Sequence, residues 1–434
     1  MNTKEKIESP IITYIKQFLD SDRTEIMEHC YFSIRDISCN RYFKDSIDLL
    51  DDSNFDSLFP LVSNVILTAN KIECDSLNYI ISKQNDNDLK KRKHALPIFK
   101  NNDIGSPEAY IFKMNSFYIL HLNAYETGSN TPGGSTDLVR YISNHPLLCP
   151  SNIISFGICY GRDTITQNIG DVIIPKKLYT WSIGQKISDT TLKIKNDNFN
   201  LQLEDKFSDS GIYSLLKDFC NNEDGRVVYD TLKLKNTDQS KEIKIDFKIR
   251  VTMGNMSTGE AVVSSTKAKK MIRQSTNNEK ELGGEMEGFG LAKECILYAK
   301  IPCFIIKSIC DWGECKDIDK ILTQENIKCP PHLKDQLQAY AAFCAGIILF
   351  QILNQEKDTL LTLDFIKWMG NSSRKNNRVS RYNYVKKSII IKNINRYYDI
   401  NEKAANNIFD TMISNKIIVL SQSRDTFNTN FEMK

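Results

Sequence analysis

One stretch constrains the chain more than any other: Gly283-Gly284-Glu285-Met286-Glu287-Gly288-Phe289-Gly290, with the residues that run from it to Asp311. The spacing predicts a helix over Gly288 to Lys300, since Leu291, Ala292, Cys295, Ile296 and Tyr298 supply apolar positions near the 3.6-residue period. Ile301-Pro302 then opens an apolar run, Cys303 to Ile309, too short for a helix and suited to a buried strand. Asp311 follows at that strand's end. Two carboxylates thus precede the helix and one follows the strand. In an open α/β sheet, ligands bind at the carboxyl ends of strands, so the fold class is α/β and Glu285, Glu287 and Asp311 are candidate site residues.

Gly284 to Gly288, followed by the segment Lys307-Ser308-Ile309-Cys310-Asp311-Trp312-Gly313-Glu314, resembles the purine nucleoside phosphorylase and nucleosidase superfamily. It is closer to the nucleosidase branch, the methylthioadenosine/S-adenosylhomocysteine nucleosidase type. Order, spacing and the intervening helix all agree. The resemblance implies a three-layer domain with a central mixed sheet flanked by helices, and cleavage of the bond between a purine and ribose. It places Met286 and Glu287 at the ribose hydroxyls, with Glu285 beside them, and Cys310 and Asp311 at the purine N7. Lys307 stands where the nucleosidases often carry an Arg, a change that keeps the charge but not the fork of donors.

Further matches come earlier. Val62 to Ala69 reads as a buried strand, and Glu73 follows Ala69 after three intervening residues. Taken alone, Glu73 is an ordinary first-turn helix acid favoured by the dipole; the resemblance makes it the base that activates water. Asn152 to Gly157 reads as a central strand, and Ile158-Cys159-Tyr160-Gly161 after it resembles the family's Gly-rich strand end, where backbone meets ribose and base. Arg162 comes next, either a surface cation or a phosphate partner. Gly170 to Ile174 matches a strand that marks the fold. Val251 to Val263 matches the family's base-pocket segment, with Val263 assigned to it and Val262 standing where the family usually has Phe. Gly133-Gly134-Ser135-Thr136 opens a helix over Asp137 to Ser143, with Ser and Thr suited to its N-cap. Gln338 to Ala342 opens the domain's last helix.

A length of 434 residues suggests two or three domains. The expected division is a helical segment over 1–60, a catalytic domain over 61–355 and a winged-helix-like domain over 356–434. The polar, basic stretch 84 to 105, with Lys90 to Lys93, reads as a loop or lid. Helical runs are expected at 363–369, 382–398 and 402–413, then a strand over 417–420. Asn371 to Tyr398 carries eight Lys or Arg and no acid. Such a stripe is most often a solvated face; it is otherwise a protein-docking face or a surface that neutralises phosphates, and a partner bound there would be nucleic acid or a regulatory protein. A nucleosidase embedded between extra modules also resembles bacterial antiviral effectors, in which it depletes adenine nucleotides.

Net charge of +3 carries no global case for nucleic acid. Met1 to Pro10 is charged with no apolar stretch after it, and no apolar run approaches a membrane span. The twelve Cys are scattered without a CxxC pair, the usage of a reducing compartment rather than a disulfide scaffold or zinc site. A cytoplasmic location, no membrane, no metal and no cofactor are therefore expected. The resemblance implies a homo-oligomer, dimer or higher, acting on a small purine nucleotide or nucleoside.

The reaction needs opposed roles. The base leaves as a stable species once N7 is protonated, which asks Asp311 to hold a proton through burial. Positive charge develops at C1′, where Glu287 supplies a negative field, and Glu73 takes the proton of the attacking water, the division of labour of other glycosidases. Phosphorylases of the superfamily carry two Arg for phosphate; here the first segment reads Thr68-Ala69-Asn70-Lys71 and the second place is Ser155, so both Arg are missing and water is the expected nucleophile. A phosphorylase and a nucleotide-sensing DNA-binding regulator are the competing readings.

Overall fold

The structure, a computed structural model, describes residues 10–39, 47–49, 62–83, 91–95, 108–114, 117–124, 133–145, 151–183, 194–207, 211–220, 225–235, 242–259, 261–278, 280–313, 330–355, 384–386, 419–420 and 426–428, with a few single positions. The chain begins with α1 (Pro10–Leu19), α2 (Arg23–Cys39), β1 (Ile47–Leu49), β2 (Val62–Thr68) and α3 (Lys71–Lys83). Next come β3 (Lys91–Ala95), β4 (Glu108–Met114), β5 (Phe117–Asn123), α4 (Ser135–Asn144), β6 (Asn152–Gly161), β7 (Val172–Ile183) and β8 (Ile194–Gln202). Then follow α5 (Gly211–Phe219), β9 (Arg226–Lys235), β10 (Glu242–Thr258), α6 (Thr266–Thr276), β11 (Glu281–Glu285), α7 (Gly288–Glu294), β12 (Cys303–Asp311) and α8 (Leu333–Gln355).

These strands form one mixed sheet in the order β1-β3-β4-β5-β2-β6-β11-β10-β7-β12, with β8 on β7 and β9 on β10. Pairing of β12 with β6 joins the two ends of its second half, so β6, β11, β10, β7 and β12 form a closed ring. β6 runs parallel to both β2 and β12. β2 is buried along its whole length and β12 along all but its last residue, which is why both read as continuous apolar runs rather than alternating ones.

Helices cover this sheet. α8 packs on α3, α2 and β12, with Leu349, Ile352 and Leu353 fully buried. Its Leu333–Asn354 stretch is long and apolar enough to cross a membrane, contrary to the reading that no run approaches a span. Yet 89% of its most apolar window is buried inside the protein, as in a core helix. α1 and α2 bury Ile11, Ile15, Phe18, Met27 and Cys30 in the same core as β2, β6 and β12. At 25 cal/mol per Å², a buried Ile or Phe contributes roughly 1.5–3 kcal/mol, so these helices are bound parts of the fold.

Several expectations are corrected. The helix expected over 288–300 is α only to Glu294; Cys295–Ala299 is a π turn that ends at Lys300 with φ of 55°. The basic stretch expected as a lid contains β3, which is paired with β1 and β4 and separated from β2 by β4 and β5. The N-cap of α4 is Gly134, without a side-chain cap bond; the Ser135 hydroxyl donates instead to the Glu287 carbonyl at 3.0 Å. α8 starts five residues before the expected Gln338. Tyr384–Lys386, expected within a helix, is strand β13, which with β14 (Val419–Leu420) and β15 (Thr426–Asn428) forms a small antiparallel sheet. The other helical runs expected beyond residue 360 and the basic stripe lie outside the described residues, β13 and the helical Asn406 aside.

Candidate active site

β2 delivers Glu73. Its last residue is followed by Ala69 and Asn70, and α3 begins at Lys71. Asn70 accepts from the Glu73 backbone N–H through Oδ1 at 2.9 Å, while Glu73 Oε2 accepts from the N–H groups of Ala69 at 2.8 Å and Asn70 at 3.3 Å. This reciprocal arrangement is a capping box, which satisfies orphan N–H groups at a helix start. The other oxygen, Oε1, reaches across to β6 and accepts from the Ile158 N–H at 2.9 Å. Glu73 is 1% exposed. Burial pushes its carboxyl above the usual range; Lys307 opposes the shift, Glu287 adds to it, and the N–H groups of Ala69 and Ile158 oppose it.

The crossing from Glu73 to β6 requires Gly157. That residue has φ of 156°, and a Cβ there would overlap the Glu73 carboxylate. Gly157→Ala is therefore expected to push Glu73 off Ile158 and reduce turnover by at least about a hundredfold, the low end for loss of a catalytic base, while circular dichroism remains native. Unchanged kcat/KM in a folded Gly157→Ala protein would show that the carboxylate need not sit there.

β11 delivers the second set. Glu285 Oε2 accepts from the N–H groups of Glu287 at 2.8 Å and Gly288 at 2.7 Å, so it fixes the turn into α7. Burial pushes the Glu285 carboxyl up to about 6, with Lys307 opposing and Glu287 adding to the shift. Lys307, from β12, is fully buried. Its Nζ donates to Glu287 Oε2 at 3.1 Å and lies 4.0 Å from Glu73 Oε1. Burial alone lowers a lysine's pKa, but Glu287, Glu73 and Glu285 together hold this ammonium above the ordinary range. A buried cation thus ties a carboxylate at the start of α3 and one at the start of α7 into one group.

These residues surround a cavity of about 200 Å³. Glu73, Ile158, Cys159, Tyr160, Val263, Glu285, Met286, Glu287 and Asp311, all expected from the sequence, line it. Asp311 reaches it because the register of β12 against β6 shifts between Ile309 and Asp311. Such a bulge breaks the two-residue alternation, and Cys310 and Asp311 both face the cavity. Asp311 Oδ1 accepts from the Gly313 N–H at 2.6 Å. It is half-buried rather than enclosed, since β12 ends there.

Two expected substrate contacts are corrected. Arg162 does not line the cavity: its Nε lies 3.4 Å from Asp163 Oδ2, and the side chain is 42% exposed. Its backbone is the structural part, with the carbonyl accepting from Lys269 and Arg273 of α6. Lys307 lies behind the lining and positions Glu287 and Glu73. Asn70, Ala261, Val262, Gly284, Lys334 and Gln338 also line the cavity. Asn70 was open to discovery through the Asn-x-x-Glu capping pattern; Lys334 and Gln338 arrive from α8 by tertiary packing and carry no local signal.

No protein-family model matches the chain, and no curated protein matches it. Solved structures to which it is similar include 5′-methylthioadenosine/S-adenosylhomocysteine nucleosidase of Helicobacter pylori, at 14% identity and a TM-score of 0.43 over 68% of this chain and 99% of that one. Futalosine hydrolase of Helicobacter pylori is 13% identical, with a TM-score of 0.43 over 68% of this chain and 98% of that one. S-adenosylhomocysteine nucleosidase of Streptococcus pyogenes is 16% identical, with a TM-score of 0.42 over 68% and 97%.

Proposed function

We propose that the chain is a purine nucleosidase that hydrolyses the N-glycosidic bond of an adenine nucleotide or nucleoside. The observation that carries this reading is the convergence of Glu73, Glu287 and Asp311 on one cavity, with Lys307 tying Glu73 to Glu287. Three carboxylates, from the starts of α3 and α7 and the end of β12, suit a substrate that becomes cationic at one carbon while accepting a proton at a separate nitrogen. Asp311 gives a proton to N7 as the C1′–N9 bond breaks and its electron pair passes to the base. Glu287 meets the ribose hydroxyls and stabilises the cationic sugar. Water attacks C1′ and yields its proton to Glu73, whose raised pKa makes it a stronger base once ionised.

Water is preferred over phosphate as nucleophile because the cavity wall around Glu73 is anionic. Lys71, the cation in the segment after β2, pairs with Asp75 at 3.1 Å with 75% of its side chain exposed.

The test is to incubate the full chain with adenosine, AMP, ATP, methylthioadenosine and inosine, with and without phosphate, and measure free base. Release is expected without phosphate. Its kcat/KM falls on the acid side, at a pH above that of an ordinary carboxylate, as Glu73 takes up its proton. Glu73→Gln loses turnover by about a hundredfold or more yet retains binding of product. Strict phosphate dependence would replace the proposal with phosphorolysis, and no release from any purine substrate would end it. In cells, the role we infer from the domain arrangement is depletion of adenine nucleotides: expression of the active chain drains that pool, and Glu73→Gln leaves it full.

A further inference from the structure

The cavity has two unlike sides. Glu73, Glu285 and Glu287 make one side anionic. On the other, Asp311 is joined by Lys334 and Gln338. A smaller cavity of about 30 Å³ adjoins this second side, and the residues it shares with the main one are Cys310, Asp311, Lys334 and Gln338. Its remaining wall includes Ile11 and Ile15 of α1 and Trp312. Lys334 and Gln338 therefore group with Asp311, away from the Glu73 arm. They are four residues apart on α8, hence neighbours on one helical face. Lys334 is exposed, and no ion pair joins it to a described carboxylate. Among the described residues, it is the only basic side chain in the lining.

The shape of a purine nucleoside relates these positions to its parts. In the anti conformation the C8–N7 edge of the base lies on the same side as C5′, whereas the 2′ and 3′ hydroxyls lie across the ring. An acid at N7 and carboxylates at the hydroxyls, as in the function proposed above and resting on it, bring the 5′ group toward the Asp311 side. There it meets Lys334 and Gln338.

We propose that Lys334, with Gln338 one turn further along α8, recognises an anionic 5′ substituent, so that the substrate is a purine nucleoside 5′-phosphate. The ammonium neutralises a phosphate oxygen, and the Gln338 amide donates to a second. This assignment takes the place of Arg162, whose guanidinium turns to Asp163. It also sets specificity: a neutral thioalkyl group at C5′ leaves Lys334 without a counter-charge, whereas a phosphate supplies one.

The experiment is calorimetric titration of the full chain carrying Asp311→Asn, which slows turnover, with AMP and with adenosine. AMP is expected to bind roughly ten- to a hundredfold more tightly, the gain from a charged hydrogen bond. Adding Lys334→Met erases that preference, and Lys334→Arg restores most of it. Raising the salt concentration narrows the gap. Equal affinities for AMP and adenosine, or a preference that survives Lys334→Met, overturns the assignment. Base release from the chain with Asp311 intact is measured in parallel. An AMP preference that depends on Lys334 without any base release sinks the nucleosidase reading and keeps the phosphate site. Base release without an AMP preference does the reverse, and failure of both ligands to bind together with no base release from any purine substrate ends both.

Discussion

Lys307→Met is expected to destabilise the protein by about 3–5 kcal/mol at neutral pH, the range for removing one member of a buried charge pair. The ammonium is fully buried, donates to Glu287 at 3.1 Å and stands 4.0 Å from Glu73. Met fills a similar volume but leaves these buried carboxylates facing each other with no cation between them. Their remaining escape is protonation, because removing the ammonium takes away the charge that opposes the rise of the Glu73 pKa. The sign of the pH dependence follows. A carboxyl whose folded pKa exceeds its unfolded value keeps its stability contribution at low pH and loses it as pH rises through the folded pKa. The deficit of Lys307→Met relative to wild type should therefore be small near pH 5 and largest near pH 8, measured by thermal melts across that span. A variant as stable as wild type at pH 8 would show that Lys307 does not hold the carboxylates together.

Asp311→Asn should lower base release by about a hundredfold to ten-thousandfold, the range for a positioned general acid. Asn keeps an oxygen for the Gly313 N–H, which Asp311 now holds at 2.6 Å, so the turn after β12 and the melting temperature should be retained. The decisive measurement varies the leaving group. A purine needs a proton at N7 to depart, whereas a nitrophenyl group departs as a stable anion. Nitrophenyl riboside hydrolysis should thus lose far less than purine release in the same variant. Equal losses on both substrates would assign Asp311 to binding or to the architecture of the strand end, not to proton donation.

Residues whose direction is set by the strand they follow were legible in the sequence. β2, Val62–Thr68, matches the expected run over Val62 to Ala69 to within one residue, because a mostly apolar segment is closed there by Asn70 and Lys71. Glu73 was legible from its distance after Ala69, and the structure adds that the same carboxylate caps α3. Asp311 was legible as a strand-end acid, but its exposure depends on a bulge that no local pattern announces. Arg162, open in the sequence between surface cation and phosphate partner, lies past the end of β6, where the neighbouring Asp163 captures the guanidinium. The lysines of β3 were misread because a basic run reads as solvated loop until a partner strand claims its backbone. Lys334 and Gln338 were not legible at all: the cavity wall they form is made by the docking of α8, a contact between residues more than two hundred positions apart.

That last feature bears on how the protein comes into being. The cavity takes Asn70 from near the start of the fold and Gln338 from near its end, and α8 packs against α3, α2 and β12. A ribosome must release nearly the whole of this span before the final wall can dock, since contacts so distant in sequence form late. A nascent chain halted before Leu333 carries Glu73, Glu287 and Asp311 yet lacks the helix that encloses them. Synthesis itself thus withholds a finished pocket until the message has been read almost to residue 355, and fragments left by premature termination or proteolysis are born without one.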